Sequence, residues 1–129
     1  MIAELMAELW PHHTQEEMSG EAAAILKNPE AAVFIAGDMG FAQCGLRHDY
    51  VEGTESSPVG YLEGIFVKPE FRGRGYAREL LRACEQWAKE KGCREFASDC
   101  ELDNTQSLEF HLKAGFAEAN RIICFTKKL

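Results

Sequence analysis

Residues 59–77 read VGYLEGIFVKPEFRGRGYA, and the fold follows from how this stretch is read. Its first nine residues are apolar, β-branched or aromatic apart from Glu63 and two glycines. That is the composition of a buried central strand. Gly64 inside the run marks a bulge or a close backbone approach. After Arg72-Gly73-Arg74-Gly75-Tyr76-Ala77 a helix opens at once. Ala77, Leu80, Leu81, Cys84, Trp87 and Ala88 recur at the spacing of one helical face, and Gly92 is its natural stop.

The junction between strand and helix carries chemistry. Glycine lets the backbone curl so that several N–H groups point into one concavity. The helix start adds unpaired donors and a partial positive charge. Together these hold a phosphate or pyrophosphate, and the arginines can reach its outer oxygens. The plainer alternative is a tight strand-to-helix turn. Two other nucleotide motifs do not fit: GxxxxGK[ST] is absent, and GxGxxG lacks its third glycine because position 78 is Arg.

Outward from this centre the pattern is mixed. Ile2, Leu5, Met6 and Leu9 space a short helix over residues 2–9, before Pro11. GEAAAILKN (residues 20–28) predicts a second, capped by Ser19 and stopped near Pro29. AAVFIAG (31–37) and GFAQCGLRHDYV (40–51) read as strands joined by a tight turn at Gly37-Asp38. CREFASDC (93–100) is a further strand, and Asn104 or Asp103 caps a helix through about Lys113, ending at Gly115. RIICFTKK (121–128) is the last strand. The expected fold is α/β, a mixed and mainly antiparallel sheet with helices on both faces, in one domain over residues 1–129.

The 129 residues carry 21 acidic and 14 basic side chains, a net charge of −7. This disfavours a nucleic-acid partner and favours a small cation. The five cysteines, Cys44, Cys84, Cys93, Cys100 and Cys124, are odd in number and form no CxxC pair. They read as reduced thiols packed as small apolar groups, with no metal site. No apolar run is long enough for a membrane span, and MIAELMAELWPHH lacks the features of a signal peptide. A cytoplasmic protein is expected.

Residues 59–77 resemble the acetyl-CoA-binding core of the Gcn5-related N-acetyltransferases (GNAT). That family's loop is Arg or Gln, two residues, Gly, any residue, then Gly or Ala; Arg72, Gly75 and Ala77 match it. NTQSLEFHLKAGF (104–116) is similar to the family's later landmark, an Asn-opened helix ending in Gly-Phe. RHDYVEG, SSPVGYLEGIFV, CREFASD and the HxxxGF ending further resemble the bacterial aminoglycoside 6′-N-acetyltransferases. Their polycationic substrates suit the acidic surplus. The chain departs from the pattern in opening on a helix where the family places a strand, and in a short hairpin at AGDMGFA. A sheet without that first strand has an exposed edge for a partner to cover, so a homodimer is expected.

The resemblance implies splayed central strands and a set of site residues. Backbone of Ile65, Phe66 and Val67, the loop Arg72, Gly73, Arg74, Gly75, Tyr76 and Ala77, and Asn104 with Ser107 would hold acetyl-CoA. Asn104 can equally be a plain helix cap. Asp99 would bind the attacked amine and serve as base, with Glu63 as partner or base. The reading of residues alone leaves Glu63 functional, turned to solvent by a strand bulge, or paired with an arginine such as Arg47. An amide near Ile65 would stabilise the developing oxyanion. His111 takes the place of a family Tyr that protonates the thiolate, with helix packing as the alternative. Trp10, His48, Asp49 and Tyr50 are candidates for the acceptor pocket, which Glu63 and Asp99 complete.

Overall fold

The computed structural model describes residues 2–9 and 14–129. Helices α1 (Ile2–Leu9) and α2 (Gln15–Lys27) precede strands β1 (Ala31–Ala36), β2 (Gly40–Arg47) and β3 (Val59–Val67). A 3-10 turn at Pro69–Phe71 leads to α3 (Tyr76–Glu90), then β4 (Phe96–Ala97) and α4 (Thr105–Lys113). The sheet order is β1-β2-β3-β4, antiparallel except for the parallel pair β3–β4.

Alternation along β2 divides the core between two layers. Phe41 joins Leu5, Met6, Met18, Ala22 and Ile25 under α1 and α2. Ala42 and Cys44 face the other way, to Leu80, Leu81 and Cys84 of α3, with Phe110 of α4 packed on the same cluster. Helices therefore cover both faces, as the sequence predicts.

The expected bulge is present and has a specific form. Gln43 lies opposite Gly64 while Cys44 lies opposite Leu62, so Glu63 is the extra residue of β3. The two central strands pair only at Gly60–Phe96 and Tyr61–Ala97, and beyond that point they part. Gly60 is needed for the pairing. A Cβ there would lie 2.6 Å from both the Ala88 Cβ and the Phe96 ring.

Three expectations are corrected. Helix α2 begins at Gln15, because Thr14 Oγ1 accepts the Glu17 amide at 3.1 Å. This Thr-x-x-Glu cap lies upstream of Ser19, so the helix runs straight through Ser19 and Gly20. Strand β4 keeps only two residues of CREFASDC, since β3 diverges and leaves the remainder without a ladder. RIICFTKK forms no strand. Residues 117–129 have no regular structure, and Ile122, Ile123 and Phe125 are 70%, 80% and 87% exposed. A strand-type pattern stays unpaired where no neighbouring edge offers it hydrogen bonds.

Candidate active site

Beyond Tyr61–Ala97 strands β3 and β4 no longer pair, and polar side chains meet along that divergence. Glu63 is pushed out by the bulge and meets Arg47, the last residue of β2. Arg47 Nη2 donates to both carboxylate oxygens, at 2.5 and 3.1 Å. The same guanidinium lies over the Tyr61 ring, 3.4 Å from its centroid. The Tyr61 hydroxyl in turn donates to Asp99 Oδ2. Burial pushes the Tyr61 phenol well above its usual range, and the Asp99 carboxylate adds to the rise. It stays a proton donor at any ordinary pH. Of the readings left open by the sequence, both the bulge that turns Glu63 outward and its pairing with an arginine are thus present.

His111 joins α4 to the segment that follows β4. Its Nδ1 lies 2.7 Å from the Ser107 carbonyl oxygen, which can only accept, so the Nδ1 proton is donated there. Its Nε2 is 2.8 Å from Ser98 Oγ. The ring also packs against Phe116, centroids 5.0 Å apart.

The glycine loop lies between β3 and α3. Gly73 and Gly75 have φ of 80° and 86°, in the left-handed region that only glycine enters at little cost. Gly75 is the N-cap of α3, and no side chain occupies the cap position. A Cβ at either glycine would meet nothing within 4 Å. The first-turn amides of Tyr76, Ala77 and Arg78 have no intrahelical acceptors. An open concavity of donors at a helix start fits a diphosphate. Arg72 is partly committed elsewhere: its Nε donates to the Val67 carbonyl at 2.8 Å. Arg74 makes no ion pair among the described residues, its guanidinium 5.7 Å from the Phe71 ring. The side chains of Ile65, Phe66 and Val67 pack into the cores, and their backbone pairs with β2 on one edge, while β4 pairs only with Gly60 and Tyr61 on the other. Tyr76 and Ala77 pack on the α3 core as well.

Asn104 caps α4, its Oδ1 accepting the Ser107 amide at 3.1 Å. Ser107 Oγ lies 3.3 Å from His111 Nδ1. Among the acceptor candidates, His48 pairs with Glu30 at 2.6 Å, and Asp49 and Tyr50 are exposed. The Tyr50 hydroxyl accepts the Gly53 amide at 3.3 Å. Trp10 lies outside the described residues. Contacts thus link Glu63 to Asp99 through Arg47 and Tyr61, and His111 to Ser98 beside Asp99, while His48 is tied to the exposed carboxylate of Glu30. Sequence reasoning missed Tyr61 and Ser98. Tyr61 stands two residues before Glu63 in a strand, so period-two spacing was the available signal there, whereas Ser98, adjacent to Asp99, carried none.

A mainly antiparallel sheet whose central strands part beside a glycine-capped helix defines an acetyltransferase fold. The Acetyltransferase (GNAT) family model matches residues 1–116, and the chain belongs to that family. Within it, the chain is similar to aminoglycoside N(6′)-acetyltransferase type 1 of Salmonella typhimurium, 45% identical over 128 residues, 96% of this chain and 88% of that one. The enzyme of the same name from Stenotrophomonas maltophilia is 43% identical over 132 residues, covering 98% and 85%. Among solved structures, the aminoglycoside N-acetyltransferase AAC(6′)-Iy in complex with CoA superposes with a TM-score of 0.94 at 44% identity, covering 98% of this chain and 86% of that one. The same enzyme with a CoA–acetylneamine bisubstrate analogue gives 0.93, also at 44% identity, covering 98% and 89%.

Proposed function

We propose that this chain, one acetyltransferase domain over residues 1–129, transfers the acetyl group of acetyl-CoA to the 6′-amine of an aminoglycoside. The reading is supported by relatives of that name along nearly the whole chain. The observation that carries it is the pair of carboxylates, Glu63 and Asp99, joined through Arg47 and Tyr61 where β3 and β4 cease to pair. A simple CoA-binding module would gain nothing from anionic groups there.

Acetyl-CoA supplies an activated acetyl thioester. The amides of Gly73, Arg74, Gly75, Tyr76 and Ala77 hold its diphosphate, with Arg74 and the outer nitrogens of Arg72 as counter-charges. Backbone of Ile65, Phe66 and Val67 lines its arm, and Asn104 and Ser107 close the other side. Asp99 receives the acceptor ammonium. One carboxylate oxygen accepts from Tyr61, and the other takes the proton that frees the amine lone pair. Glu63 adds negative charge beside it. The Ile65 amide donates to the charge that grows on the thioester oxygen. His111, when protonated, passes its Nε2 proton to Ser98, whose hydroxyl proton goes to the departing sulfur. Tyr50 and Asp49 extend the acceptor surface together with Trp10 and His48.

No helix among the described residues is long and apolar enough to cross a membrane. A cytoplasmic site of action is proposed separately, on the use of acetyl-CoA. The protein works as a homodimer. The support is the exposed apolar row Ile122, Ile123 and Phe125, a surface of the kind that a second copy covers. Light scattering on wild type and on I123E/F125E tests this: a monomeric wild type overturns it. The function itself is tested by release of free CoA thiol with tobramycin, then with Asp99→Asn and Glu63→Gln. Full rate in both variants removes the roles given to these residues. Turnover of spermidine alone moves the acceptor to a polyamine and leaves the acetyltransferase intact.

A further inference from the structure

We infer that Arg47 is a specificity-determining residue, a resident cation that holds the acceptor's ammonium seat and yields it to polycations in preference to single amines. The inference rests on the acceptor reading above and adds a competitor to it. Three features define the seat: the Glu63 carboxylate, the face of the Tyr61 ring, and Asp99 tethered to the Tyr61 hydroxyl. A carboxylate beside an aromatic face is a receptor for ammonium and guanidinium groups alike. Arg47 satisfies both parts at once, through 2.5 and 3.1 Å hydrogen bonds and a 3.4 Å approach to the ring centroid.

The contact is built to be broken. The Arg47 side chain is 45% exposed and Glu63 is 30% exposed, so water can replace either partner. Arg47 also ends its strand, where the chain turns into an irregular segment, so the guanidinium can swing out without disturbing a ladder. Tyr61, in contrast, is only 7% exposed and cannot follow. The seat stays in place when its occupant leaves.

Competition of this kind discriminates by charge count. An exposed ion pair with a cation–π contact lowers a rival cation's apparent affinity by roughly 5- to 30-fold. A single amine exchanges with Arg47 one for one and gains little. A polycation carries further ammonium groups that reach exposed carboxylates outside the seat, such as Asp49, so it absorbs the penalty. Arg47 is thus a filter against the small monoamines of the cell.

The test compares wild type, Arg47→Gln and Arg47→Lys at saturating acetyl-CoA, with tobramycin and with the single-amine sugar 6-amino-6-deoxyglucose. The expected result is that R47Q raises kcat/KM for the single amine by about tenfold, through KM, and that for tobramycin by no more than about threefold. R47K restores the wild-type preference, and the KM for acetyl-CoA is the same in all three. Equal losses of kcat on both acceptors in R47Q would assign Arg47 to positioning Glu63 and overturn the inference. No change on either acceptor also overturns it. Wild type without turnover on tobramycin is a different failure, that of the acceptor reading.

Discussion

Replacing Gly75 by Ala separates the stability of the loop from its use. Gly75 has φ of 86° at the start of α3, and Gly92 has φ of 90° just past its end. At both, a Cβ meets nothing within 4 Å, so neither substitution creates a clash. Both pay for placing Ala in the left-handed region, about 1–2 kcal/mol. For a chain of this length that lowers the melting temperature by roughly 3–8 °C in each variant. The two differ in what the new methyl faces. At Gly92 it enters solvent at the helix C-terminus. At Gly75 it enters the open space at the helix start where the diphosphate is placed, and one charge-assisted hydrogen bond, about 1.5–3 kcal/mol, is lost. The KM for acetyl-CoA should therefore rise by about 10- to 100-fold in G75A and stay within about twofold in G92A. Thermal melts and thiol-release kinetics on the two variants measure both effects. Equal KM values for acetyl-CoA would refute the placement of the diphosphate at this loop.

Other perturbations follow from the same geometry. Because burial and Asp99 raise the Tyr61 phenol in the folded chain, the stability it lends is complete below the unfolded value of about 10 and drains as pH rises past it. Urea midpoints at about pH 8, 10 and 11 should fall more steeply in wild type than in Tyr61→Phe, and parallel curves would contradict the assignment. His111→Gln should lower kcat by about tenfold or more with little change in either KM. A loss under about threefold returns the ring to helix packing alone. Gly60→Ala places a methyl 2.6 Å from Ala88 and Phe96 and should cost about 1–3 kcal/mol in denaturant unfolding, with the β3–β4 pairing weakened.

What the sequence could reveal depended on how local the signal was. The strand at residues 59–67, its bulge, the amphipathic α3 and the Asn104 cap rest on short-range periodicity and turn chemistry, and all four are present. The start of α2 went astray because two capping residues competed, and Thr14 with Glu17 forms the fuller set of hydrogen bonds. The segment 121–128 has a strand's alternation, but whether such a segment pairs is decided by an edge elsewhere in space. The site was legible as residue types, with Glu63 conspicuous in an apolar strand and Asp99 at the end of another. The Arg47–Tyr61–Asp99 chain was not, since it links residues of three separate elements that only the sheet register brings together.

The most direct test is the product itself. Tobramycin incubated with acetyl-CoA and the wild-type chain should yield a monoacetylated compound whose proton and nitrogen NMR place the acetyl group on the 6′ nitrogen, with one CoA thiol released per acetyl. An acetyl group on another ring nitrogen, or thiol release with no acetylated antibiotic, would contradict the account.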